Sequence, residues 1–195
     1  VNWRLAPPEV AYIVNDAKAT VLFVGAPFHA LIDKIRDELK TVTKIVAIQG
    51  GRPDWESYEA WRDRQGAADP KVASADDDVC LQMYTSGTTG MPRGAVLTRA
   101  ALVASADASA ANLGWQDDDR WLACMPIARV GGLSILTRCL VARRAVVLSD
   151  GFDAGAFPAL VDAERVTLAS LVPTMLARVL DACPDWTPPG HLRAI

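Results

Sequence analysis

Tyr84-Thr85-Ser86-Gly87-Thr88-Thr89-Gly90-Met91-Pro92-Arg93-Gly94 is the stretch that decides the reading of this 195-residue chain. An apolar run, Val79-Cys80-Leu81-Gln82-Met83-Tyr84, precedes it, and a second, Ala95-Val96-Leu97, follows. The pattern predicts strand, turn, strand, with a polar turn between two buried supports. Glycines let backbone approach a bulky anion and adopt positive φ. Backbone N–H groups and Ser/Thr hydroxyls donate to phosphate oxygens, and Arg93 supplies a cation. That chemistry suits a polyphosphate; by composition alone, a solvated hairpin loop is the alternative. A Walker loop is a poor match. It needs four residues between its glycines and a Gly-Lys-Ser/Thr helix start, whereas only two residues stand between Gly87 and Gly90 and no Lys-Ser pair follows.

Working outward, strands alternate with helices. Pro7-Pro8-Glu9 opens a helix through Ala17, since Pro is tolerated in a first turn. A strand over 20–24 follows, then a helix from Pro27 to about Lys40 with Leu31, Ile32, Ile35 and Leu39 on one stripe. Thr43–Ile48 is a strand stopped by Gly50-Gly51, and Ser57–Arg64 a short helix. Residues 66–78 are a polar linker. They divide the chain into a first α/β segment, 1–65, and a segment carrying the Gly/Thr turn, 79–195. In the second segment, helices are expected over Ala100–Asn112, Gly132–Leu140, Asp153–Glu164 and Pro173–Cys183. The intervening strands are Trp121–Met125, Ala145–Leu148 and Thr167–Leu171. This alternation predicts an α/β fold with a largely parallel sheet and flanking helices.

Composition narrows the function classes. Apolar residues make up 51% and the formal net charge is −3, as in a globular protein. Lys and Arg form no basic stripe, so nucleic acid is not an expected partner. The acidic runs Asp76-Asp77-Asp78 and Asp117-Asp118-Asp119 read as solvated connections. Cys80, Cys124, Cys139 and Cys183 form no Cys-x-x-Cys pair and read as buried free thiols, not zinc ligands. They suit a reducing, cytoplasmic compartment. No signal peptide or membrane-length apolar run is visible. Trp3, Trp55, Trp61, Trp115, Trp121 and Trp186 read as core and rim packing, His29 and His191 lack a catalytic partner, and no Gly-x-Ser-x-Gly occurs. The chain starts with Val1 and stops at Leu192-Arg193-Ala194-Ile195, a stretch resembling the start of another strand. Both ends suit a piece of a longer protein.

The ordered motif Thr85-Ser86-Gly87-Thr88-Thr89-Gly90-x-Pro92-x-Gly94 resembles the phosphate loop of the adenylate-forming superfamily. That superfamily contains acyl-CoA synthetases, amino-acid adenylating domains and luciferases. Asn2-Trp3-Arg4-Leu5 through Glu9 is similar to the family's Asn-x-Arg-Leu-x-x-x-Glu segment. Met125-Pro126-Ile127-Ala128-Arg129-Val130-Gly131-Gly132-Leu133 stands where acyl-CoA synthetases carry Pro-Leu-Phe-His-Val-Gly-Gly-Leu. Val172-Pro173-Thr174-Met175-Leu176 resembles the Val-Pro-Thr-Met helix start. Gly132–Arg138 and Ser170–Leu180 look most like o-succinylbenzoate–CoA ligases, and the first eighty residues more like fatty-acyl ligases.

The resemblance covers about the middle third of a typical member and implies a partial N-terminal domain of an adenylate-forming enzyme. It implies ATP, Mg²⁺ and coenzyme A as cofactors, a small carboxylic acid as substrate, and the rest of the chain as a partner. Thr85, Ser86, Gly87, Thr88, Thr89, Gly90 and Arg93 would hold the β/γ-phosphates. Arg129, Gly131 and Gly132 would line the acyl pocket. The catalytic Lys and the metal ligand would lie beyond Ile195, leaving the isolated piece inactive. Arg93 replaces the family's usual Lys, and Ala128-Arg129 replaces aromatic-His. Arg129 could attract a second substrate carboxylate, block the pocket, or face solvent. Gly131-Gly132 either admits a substrate chain or simply starts a helix. These departures keep open a degenerate nucleotide- or acyl-binding module. An amino-acid adenylating domain is also an alternative, although the aromatic-Asp-x-Ser pattern such domains carry near 127–130 is lacking.

Overall fold

A computed structural model describes residues 1–85 and 91–195. They group into two compact units, Val1–Ala75 with Tyr84–Val96, and Asp76–Met83 with Leu97–Ile195. Stretch 66–75 contains no helix or strand.

In the first unit, α1 (Pro7–Asp16) leads to β1 (Val21–Gly25), α2 (His29–Ile35), β2 (Lys44–Ile48), the two-residue β3 (Glu56–Ser57) and α3 (Tyr58–Asp63). The strands form one parallel sheet in the order β1-β2-β3, with Phe23 opposite Val46. Val10, Ala11 and Val14 of α1 and Ile32 and Ile35 of α2 pack against Val24, Ile45, Ala47 and Trp55. Pleat alternation turns Phe23 the other way, edge-on to Tyr58 and Trp61 of α3. β2 is buried on both faces, which accounts for its unbroken apolar sequence.

β4 (Val79–Thr85) pairs with β5 (Arg93–Thr98) in a two-stranded sheet. The expectation of buried supports is corrected here. Both strands are mostly exposed or half-buried, and among the described residues no third strand pairs with them. Cys80 is likewise exposed, whereas Cys124 and Cys139 are buried thiols whose pKa burial pushes upward.

The second unit continues with α4 (Arg99–Leu113), β6 (Arg120–Ala123), α5 (Val130–Ala142), β7 (Ala145–Leu148), α6 (Phe157–Ala163), β8 (Leu168–Ala169) and α7 (Pro173–Ala182). Thr98 caps α4 by accepting from the Ala101 N–H, and Gly114 ends it at φ +67°. The sheet is parallel, in the order β7-β6-β8. Leu122, Val147 and Ala169 face α6 and α7, while Trp121, Val146 and Leu168 face Ile135 and Cys139 of α5. Ala194 bridges Leu168 in parallel, so the final residues extend this sheet at β8.

Three expected elements are shorter. The helix from Pro27 to Lys40 is broken into a 3-10 turn (Ala26–Phe28), α2 and a second 3-10 turn (Arg36–Glu38). Asn15 explains its end: the side chain donates to the Glu38 carbonyl and accepts from the Lys40 N–H, diverting backbone groups that a longer helix would use. Asp153 caps a turn before α6 through the Ala156 N–H, and α6 itself begins at Phe157. β8 keeps only two of five expected residues.

The largest correction concerns Asp119, which is 2% exposed and no solvated connection. It accepts from Thr167 Oγ1 at 2.7 Å, from the Gln116 N–H at 2.8 Å and from Arg193 Nε at 2.9 Å. Arg193 also donates to the carbonyls of Leu113 and Gly114, tying the end of α4 to the last sheet-bound residues. Burial opposes ionisation of Asp119, but these donors outweigh it and hold the carboxyl down at about 2.

Candidate functional site

The two stems of the Gly/Thr turn belong to the first unit. Thr85 is the last residue of β4 and Arg93 the first of β5, and both are exposed. A hydroxyl and a guanidinium there suit phosphate oxygens. The other expected ligands, Ser86, Gly87, Thr88, Thr89 and Gly90, lie outside the described residues. Two residues that the sequence reading passed over reach the stems. Tyr12 Oη donates to the Pro92 carbonyl at 3.2 Å, and Tyr84 Oη donates to Asp16 Oδ2.

In the second unit, Arg129 is the N-cap of α5, in extended conformation, with an exposed side chain. It follows the carboxyl end of β6. β6 feeds α5 on one face of the sheet, and the adjacent β8 feeds α7 on the other. Their loops therefore part at the carboxyl ends, the geometry that forms a ligand crevice in parallel α/β sheets. Trp121 Nε1 donates to Ser170 Oγ at 3.1 Å, joining the two strands at that end.

Gly131 and Gly132 occupy the first turn of α5. A Cβ on Gly132 would stand 2.4 Å from the Pro126 carbonyl oxygen and 2.6 Å from that of Met125, whereas one on Gly131 would meet only the Met125 side chain. The close approach at Gly132 is to the protein's own backbone.

A cleft of about 340 Å³ lies at the opposite, amino-terminal ends of β6, β7 and β8, lined by Arg120, Arg143, Arg144 and Arg165 together with Asp117, Asp118 and Asp119. Arg144 pairs with Asp117 at 2.8 Å and Arg120 with Glu164 at 3.2 Å, so its charges largely cancel. It carries no obvious reaction chemistry.

Among the described residues, no three His, Cys, Asp or Glu side chains converge as a metal site. Among them too, no helix is long and apolar enough to cross a membrane.

Parallel sheets flanked by helices, with a Gly/Thr-rich sequence between β4 and β5, define a part-domain of the α/β class. Over residues 1–195 the chain matches the AMP-binding enzyme family, and it belongs to that family. It is 42% identical over 188 residues to the indoleacetate–CoA ligase of Aromatoleum aromaticum, covering 95% of this chain and 36% of that enzyme. It is 35% identical over 202 residues to the 2-succinylbenzoate–CoA ligase of Bacillus licheniformis, covering 100% of this chain and 37% of that one. The o-succinylbenzoate coenzyme A synthetase of Bacillus subtilis, solved in complex with ATP and magnesium ion, superposes with a TM-score of 0.79 at 26% identity, over 99% of this chain and 37% of that one. The chain thus spans little more than a third of these relatives, and its fold is that of part of an adenylate-forming N-terminal domain.

Proposed function

We propose that the full-length protein carrying this chain is an AMP-forming acid–CoA ligase acting on an aromatic carboxylic acid. The acid's carboxylate attacks the α-phosphate of ATP and releases pyrophosphate. The thiol of coenzyme A then displaces AMP from the acyl-adenylate, leaving a thioester. The observation that carries this reading is the ordered Thr85–Gly94 motif in a chain whose whole length matches the family. Related enzymes named for indoleacetate and 2-succinylbenzoate support an aromatic acid.

The turn's part is electrostatic. Thr85, Ser86, Gly87, Thr88, Thr89 and Gly90 donate to the β- and γ-phosphates, and Arg93 balances their charge. Fixed donors placed where negative charge leaves with pyrophosphate lower the barrier without reorganisation. Arg129, Gly131 and Gly132 stand at the crevice that takes the acid. Arg129 presents a permanent planar cation there, which pairs with a carboxylate in bidentate fashion. A second carboxylate on the substrate, as in a succinylbenzoate, gives it a partner. No catalytic residue is assigned within this chain. Its free thiols suit a cytoplasmic location.

The test is acid-dependent exchange of pyrophosphate into ATP by the full-length protein over a panel of aromatic mono- and dicarboxylic acids. Exchange with at least one aromatic acid is expected. Arg129→His should lower kcat/KM for a dicarboxylic acid about tenfold or more while changing that for a monocarboxylic acid little. No exchange with any acid would instead support a binding module that has lost catalysis.

A further inference from the structure

We propose that helix α1 is the positioning element of the phosphate turn, with Tyr12 and Asp16 gripping its two stems. This rests on the reading of the Thr85–Gly94 turn as the triphosphate site. Tyr12 and Asp16 are four residues apart, so they stand on one face of the helix, a turn apart. Tyr12 holds the Pro92 carbonyl on the stem that enters β5, and Asp16 holds the Tyr84 hydroxyl on the stem that leaves β4. All four residues lie in the first compact unit.

The helix is suited to the task because it is itself anchored elsewhere. Val10, Ala11 and Val14 are buried in the core beneath β1 and β2. Asn15 is bonded at both its side-chain atoms, to the Glu38 carbonyl and the Lys40 N–H. Glu9 bonds the Ala6 N–H at 2.8 Å and so secures the other end. Buried contacts thus hold α1 while its Tyr12–Asp16 face meets the two stems. Burial and the neighbouring Asp16 carboxylate raise the pKa of the Tyr84 phenol, so its hydroxyl remains a proton donor throughout the physiological range.

Removing either hydroxyl leaves the rings in place and the phosphate ligands intact, yet removes one tie between α1 and a stem. A donor array misplaced by a fraction of an ångström loses much of its advantage. The effect should therefore appear in nucleotide binding rather than in acid binding.

The experiment compares Tyr12→Phe, Tyr84→Phe and the double variant with the wild-type full-length protein. ATP affinity is read by calorimetry, and KM for ATP and for the acid by pyrophosphate exchange. Each single variant should weaken ATP binding about threefold to tenfold, and the double variant should weaken it further. KM for the acid and the melting temperature should stay near wild type. Unchanged ATP affinity in all three variants would overturn the inference. So would equal rises in both KM values accompanied by a falling melting temperature, the signature of a merely structural role. If wild type binds ATP but exchanges no pyrophosphate, the ligase reading fails while the affinities still judge the grip. If wild type binds no ATP at all, the site reading fails and this inference with it.

Discussion

Gly132 shows how a single position can serve the site through packing. The backbone carbonyls of Met125 and Pro126 occupy the space a side chain would take. Carbonyl oxygens in a strand-to-helix connection cannot rotate away as a flexible side chain can. Gly132→Ala should therefore cost on the order of 3 kcal/mol, and it should displace the loop that carries Arg129. Gly131→Ala meets only the tip of Met125 at 3.3 Å and gains helix propensity. It should change stability by about 1 kcal/mol or less. Thermal denaturation of the two variants in the full-length protein checks this, and equal losses would show that the contact at Gly132 yields. Both glycines stand out in the sequence as a pair; only the backbone placement separates their roles.

At the scale of elements, the Asp119–Arg193 ion pair fastens the end of α4 to the residues extending the sheet beyond β8. Because the folded carboxyl titrates near 2, below its ordinary 3.8, its contribution is complete above about pH 4 and is lost as pH falls toward 2. Arg193→Ala strands a buried carboxylate and should cost about 3 kcal/mol near neutrality. Urea denaturation at pH 7 and pH 3 should show a smaller acid loss in the variant than in wild type; identical losses would contradict the assignment. Such a tie was hidden in the sequence. Asp119 ends a run of three acids, and its partner lies 74 residues away. Periodicity, by contrast, found nearly every helix and strand, and the central strands β2 and β6, buried on both faces, read as apolar runs. Boundaries failed where side chains bonded backbone, locally at Asp153 and from a distant helix at Asn15. β3 escaped notice because two residues carry no period.

At the scale of the whole molecule, family membership follows from motifs scattered over all 195 residues, and the structure adds the layout those motifs obey. The parting of the loops at the carboxyl strand ends was not legible. The divergence of α5 and α7 on opposite faces of one sheet appears only once the strand order is known. The stems' contacts to α1 were illegible for a similar reason, since 68 and 80 residues separate the partners. The central claim is that the turn after Tyr84 grips the triphosphate of ATP. A crystal structure of the full-length protein with ATP tests it most directly. The account predicts β- and γ-phosphate oxygens within hydrogen-bonding distance of the Thr85–Gly90 backbone and hydroxyls, with the Arg93 guanidinium alongside. A triphosphate bound elsewhere, with that turn unliganded, would contradict it.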